Sequence, residues 1–155
     1  MDARWDAIVA GHICLDIHPD LSSVPEGEWE TLFRPGSLVS AGAVHFAPGG
    51  AVSNTGLTLH KLGTSTRLLG KIGDDPFGQA IRQIVESHKP GLANDMIVEE
   101  LVSTSYTIII NPPGIDRIFL HCADANDTFS ADDVGDDLLA EARLLHFGYP
   151  PVMRQ

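Results

Sequence analysis

Two places in the sequence carry residue types suited to binding chemistry. The first is Gly49-Gly50-Ala51-Val52-Ser53-Asn54. Two glycines let a backbone approach a ligand closely. The helix that this segment opens offers unpaired N–H donors at its first turn, and Asn54 adds both a donor and an acceptor. Such a set suits a neutral polyhydroxyl ligand; the plainer reading is a glycine turn before a helix. The second is Asp16, a carboxylate expected just past the C-terminal end of the first strand, where open α/β sheets bind their ligands. It can accept from two hydroxyls at once, or it is simply a solvated loop acid.

Other candidates read as structure. Gly73-Asp74-Asp75 has the form of a metal-binding pair, but Asp75 before Pro76 is better placed as a helix N-cap, with Asp74 favouring the positive end of the helix. Asp132, Asp133, Asp136, Asp137 and Glu141 read as a solvated helix face. The seven histidines show no HExxH spacing, and His121-Cys122 lacks partners at zinc-site spacing, so no metal site is expected. GxGxxG is absent, and Gly70-Lys71 has neither the upstream glycine nor the following Ser/Thr of a P-loop.

The elements that must hold these residues alternate. Residues 6–15 form an apolar run that reads as a buried strand. A second extended stretch, 37–46, ends at Pro48-Gly49-Gly50. Val52, Thr55, Leu59 and Leu62 then recur at helical spacing, with Gly63 placed to stop the helix. Residues 66–72 read as another strand. Asp75-Pro76 starts a helix with Phe77, Ala80, Ile81, Ile84, Val85 and His88 on one face, ended by Pro90-Gly91. Alternation of this kind argues for an α/β layered sheet. Residues 106–111 and 115–121 flank Pro112-Pro113-Gly114 as a hairpin. Ser130 and Asp133 have capping-box spacing before Val134, Leu138 and Leu139, and 144–148 reads as a last strand. No covering helix follows that strand, so the sequence is expected to be part of a larger fold.

Composition bounds the function classes. The chain has 155 residues, 43% hydrophobic and 20% charged, as in a globular domain rather than a disordered one. Its formal charge of −11 repels phosphate backbones and anionic lipid, which disfavours nucleic-acid and membrane-surface roles. The N-terminus lacks the basic-then-apolar pattern of a signal peptide. Two cysteines without a CxxC pair suit a reduced, cytoplasmic setting.

The order of motifs is specific. Gly11 to Asp16, Gly49-Gly50 with Asn54, Leu62-Gly63, Gly70-Lys71-Ile72-Gly73-Asp74-Asp75 with Phe77-Gly78, and Ala125-Asn126 followed by Phe129-Ser130 occur in sequence. In this the chain resembles the N-terminal half of the ribokinase-like (PfkB-type) carbohydrate kinases, over essentially its whole length. The resemblance implies a Rossmann-like α/β ribokinase fold, a parallel sheet with flanking helices, plus a small β lid from segments near 18–46 and 106–121, with the C-terminal part of the fold absent. It implies a small sugar substrate, a homodimer formed through the lid, and ATP with Mg2+ held mainly outside this chain. Asp16, Gly49, Gly50 and Asn54 match sugar-binding positions. Cys14 stands where many members carry Asn, Tyr149 near where some place a substrate-binding Glu, and Asp124 replaces the glycine of the usual Gly-Ala-Asn; these departures leave the sugar's identity open. The family's second signature, Asp-x-x-Gly-Ala-Gly-Asp, supplies the catalytic base and anion hole and does not occur in these residues. The 155 residues alone are therefore expected to be inactive as a kinase. The alternatives are a non-catalytic sugar-binding or dimerising module, or a chain that needs a partner to complete its sheet.

Overall fold

The computed structural model describes residues 4–153. Strand β1 (Ala7–Gly11) lies at the centre of a parallel three-stranded sheet, between β4 (Thr66–Leu69) and β9 (Leu145–Gly148). All five β1 residues are buried, as expected for a parallel strand covered on both faces. Val9 packs with Val52, Leu57, Leu68, Ile81 and Val85 beneath α1 (Gly50–Lys61) and α2 (Pro76–His88). Ile8 and Ala10 face the opposite side, against Leu69, Phe129 and Met153. A second parallel pair joins β5 (Lys71–Gly73) to β6 (Ile97–Glu99).

The apolar run expected as one strand over 6–15 is two strands in different sheets. Gly11 has φ +115, a conformation that L side chains rarely adopt, and there the chain leaves the first sheet. His12 N–H still reaches the Gly148 carbonyl at 3.3 Å. Asn126, fully buried, then clamps Ile13: its Oδ1 accepts from Ile13 N–H at 3.2 Å and its Nδ2 donates to Ile13 C=O at 2.9 Å. From Cys14 the chain runs in β2 (Cys14–Pro19), part of a separate four-stranded sheet. Asn126→Ala should leave both buried backbone groups of Ile13 without partners and destabilise the chain by roughly 2–4 kcal/mol, read as a lower urea midpoint at unchanged slope.

In that second sheet β3 (Val44–Gly49) is antiparallel to β2, β7 (Tyr106–Ile110) parallel to it, and β8 (Ile118–Cys122) closes the expected hairpin. The strand read over 37–46 starts only at Val44. The strand read over 66–72 is divided at Gly70 between β4 and β5. The capping box of Ser130 and Asp133 is present but caps a 3-10 turn, Ala131–Asp133; the short helix α3 (Asp136–Ala140) begins after it. Among the described residues no helix is long and apolar enough to cross a membrane.

Candidate functional site

Side chains alternate across a strand, so the second sheet has two unlike faces. Ala47, Asp16, Thr107 and His121 stand side by side across all four strands. One residue along, on the opposite face, Phe46, Ile17, Ile108 and Leu120 make an apolar row. Asp16 thus lies within β2 rather than past the end of β1, and the polar row gives it its neighbours.

The Asp16 carboxylate rests against the backbone of Gly49, where a Cβ would run into both oxygens and sit 2.6 Å from Cγ. Its one hydrogen-bond donor among the described residues is the Cys14 thiol, at 3.3 Å. Burial, with the Asp16 charge adding to it, pushes that thiol's pKa up to about 12, so it stays a weak S–H donor. The carboxylate keeps acceptor capacity for a ligand. Thr107 stands beside it, 3.6 Å from the Cys14 sulfur and hydrogen-bonded to His121 Nδ1 at 3.0 Å.

Gly49-Gly50 opens α1, as expected. Gly50 has φ +84, and a Cβ there would meet the His12 carbonyl oxygen and come within 2.6 Å of His12 Nδ1. That carbonyl accepts from Val52 N–H at 3.1 Å, which ties the helix start to the end of β1. Asn54 is exposed, one turn beyond Gly50 on the same helix face. Tyr149, 54% exposed, takes a left-handed conformation (φ 62) immediately after β9. Its ring lies 5.6 Å from that of His12, whose ring in turn lies 5.3 Å from that of His121. The structure therefore brings Asp16, Cys14, Gly49 and Gly50 into contact or near it, and reaches Tyr149 through His12.

Sequence reasoning missed His12, Thr107 and His121. Thr107 and His121 are polar residues in apolar strands, and that exception to the pattern was the available signal. Asp75 is the expected cap: it accepts from Gly78 N–H at 2.8 Å, Thr104 N–H at 2.7 Å and Thr104 Oγ1 at 2.7 Å. Burial alone would raise its pKa, but these bonds outweigh it and hold it below the usual value. Asp124, which replaces a glycine of the family pattern, has φ 24 and accepts from Ser103 N–H at 3.1 Å.

The model of the pfkB family of carbohydrate kinases matches residues 10–154. The chain belongs to that family. Fructokinase-2 of Oryza sativa subsp. japonica is 26% identical over 140 residues, covering 89% of this chain and 38% of its own length. A sugar kinase of Pyrococcus horikoshii is 28% identical over 130 residues, covering 83% and 38%. This pfkB-family chain spans about two fifths of the length of the curated relatives it matches. Its fold matches that of Arabidopsis thaliana ribokinase, solved with ribose and ATP, with a TM-score of 0.69 at 17% identity, over 95% of this chain and 45% of that one. The fold is α/β of the ribokinase type.

The site has a pH signature. Burial, with His121 adding to it, lowers the His12 pKa from 6.5 to about 4. The folded state disfavours the proton that the unfolded chain takes up near pH 6.5. The stabilising contribution is thus complete above that pH and lost as pH falls to about 4; at about 1.4 kcal/mol per pH unit it amounts to roughly 3 kcal/mol. Denaturant titrations between pH 7 and 4 should show this fall, and His12→Leu should flatten it. Asp75 contributes a further loss only below its ordinary value of 3.8.

Proposed function

We propose that this chain supplies the sugar-binding half of an ATP-dependent sugar kinase, holding a small neutral sugar at Asp16, Gly49, Gly50 and Asn54, with Cys14 and Tyr149 at the edge of the site. One observation carries the reading: a carboxylate whose only donor among the described residues is a thiol rests against the Gly49 backbone at the N-terminal turn of α1. Asp16 would accept from two hydroxyls, and Asn54 would add a donor and an acceptor. Asp16 orients the sugar; it is not the base. The four-stranded sheet would act as the lid that excludes water from the acceptor hydroxyl.

ATP, with Mg2+, would supply the phosphoryl group when bound. The described residues named beside Asp16 (Cys14, Gly49, Gly50, Thr107 and His121) include no Lys or Arg, and so do not fit a triphosphate. Elsewhere in the fold, the buried Lys71 is engaged by Asp133 at 3.0 Å and by the Thr128 carbonyl at 2.9 Å, and Arg67 by Asp95 and Glu141. The nucleotide, the base and the anion hole would lie outside these residues. The apolar row on the other face of the lid leaves Phe46 45% and Leu120 50% exposed. It supports a homodimer through the lid, and it also favours the second reading, a dimerising module without catalysis. The free cysteines Cys14 and Cys122 fit a cytoplasmic setting.

Calorimetry of the chain with fructose, ribose and a sugar acid tests the reading. Binding of a neutral sugar, lost in Asp16→Asn, supports it. No heat from any neutral sugar, or preference for the acid, overturns it.

A further inference from the structure

His12 is a buried polar side chain that the fold does not use. It is 7% exposed, and both ring nitrogens are closed off from solvent without a hydrogen-bond partner among the described residues. Buried polar groups are normally paired, and an orphan of this kind calls for a reason. Its backbone is fully used, donating to Gly148 and accepting from Val52. Among the described residues the ring is held by packing, against His121, Tyr149 and the Gly50 backbone.

Its surroundings are those of the candidate site. Nδ1 faces the bare backbone of Gly50, where even a Cβ would come within 2.6 Å. His121, the ring beside it, is hydrogen-bonded to Thr107 in the row that carries Asp16. Of the two rings over His12, His121 is tied down in this way. Tyr149 is more than half exposed and sits on a left-handed backbone position that a tyrosine adopts only at some cost. Tyr149 is thus the cover that can move.

We propose that His12 is a sugar-contacting, specificity-determining residue: its neutral imidazole exchanges hydrogen bonds with a sugar hydroxyl at the Gly50 turn once the Tyr149 ring swings aside. The inference rests on the sugar-binding reading above. Its ligand is a hydroxyl rather than a carboxylate or phosphate, because the imidazole is uncharged at neutral pH and the nearest charged group in the row is the acid Asp16. A neutral imidazole presents one donor and one acceptor, which matches the two roles of a hydroxyl.

The test is calorimetry with fructose and ribose on the 155-residue chain and on His12→Leu, His12→Asn and Asp16→Ala. His12→Leu removes two orphaned nitrogens while keeping an apolar filler, so its Tm should rise by about 2–4 °C while sugar affinity falls at least tenfold. His12→Asn, which keeps polar atoms near the Nδ1 position, should bind within about threefold of the parent. A merely structural histidine would not separate stability from binding in this way. Imidazole 15N shifts give a second readout that needs no variant: the His12 nitrogens should move on saturation with sugar. His12→Leu binding like the parent, or silent His12 nitrogens at saturation, while Asp16→Ala still abolishes binding, would overturn this inference and leave the sugar-binding reading standing. A parent chain that binds neither sugar would overturn both.

Discussion

Gly50→Ala should destabilise the chain by roughly 2–5 kcal/mol, combining left-handed backbone strain with a steric clash. The backbone at Gly50 has φ +84. A Cβ there meets the His12 carbonyl oxygen and, at 2.8 Å, the His12 carbonyl carbon. These are main-chain atoms already fixed by bonds to Val52 and Gly148, so they cannot yield without opening the junction between β1 and α1. Gly49→Ala forms the contrast. Its backbone is extended (φ −104, ψ −179), and the Cβ meets the end of the Asp16 side chain rather than backbone. That side chain can rotate away, so stability should change little while sugar binding falls. Chemical denaturation of both variants measures the difference. Equal midpoints for Gly50→Ala and the parent would mean that the helix start is not built as described.

Asp16→Ala should weaken sugar binding at least about 30-fold, or about 2 kcal/mol, the worth of one or two hydrogen bonds to a charged acceptor. Stability should be nearly unchanged, because the carboxylate accepts only a thiol hydrogen among the described residues and Cys14 keeps Thr107 as a neighbour. Asp16→Asn should recover part of the loss, since the amide oxygen still accepts but carries no charge. Calorimetry for binding and thermal melts for stability separate the two effects. A melt lowered as much as the binding would assign Asp16 a structural role instead.

Parts of this architecture are legible along the chain because their causes are local. Helix α2 is written in Asp75-Pro76 and in the buried spacing of Ile81 and Val85. The hairpin of β7 and β8 is written around Pro112-Pro113-Gly114. The break between β1 and β2 is not, since a strand buried on both faces is apolar throughout and an apolar run continues unchanged when the chain changes sheets. What makes the break is Gly11 and the clamp by Asn126, which is 113 residues from Ile13. The site shows the same division. Asp16 and Gly49-Gly50 stand out as residue types at motif spacing. Thr107 and His121 join them only through cross-strand register, and His12 only through the lack of a hydrogen-bond partner for its ring among the described residues, which no sequence pattern records.

The central claim is that a neutral sugar sits on the polar face of the second sheet at the start of α1. Backbone amide shifts of the 15N-labelled chain, followed through a titration with fructose, test it most directly. The account predicts that the shifting amides cluster at Cys14, Asp16, Gly49, Gly50, Thr107 and His121. A separate cleft of about 570 Å3 lies farther along the same sheet, among His18, Asp20, His45 and Asn111. Shifts confined to that cleft, or none at saturating sugar, would contradict the account.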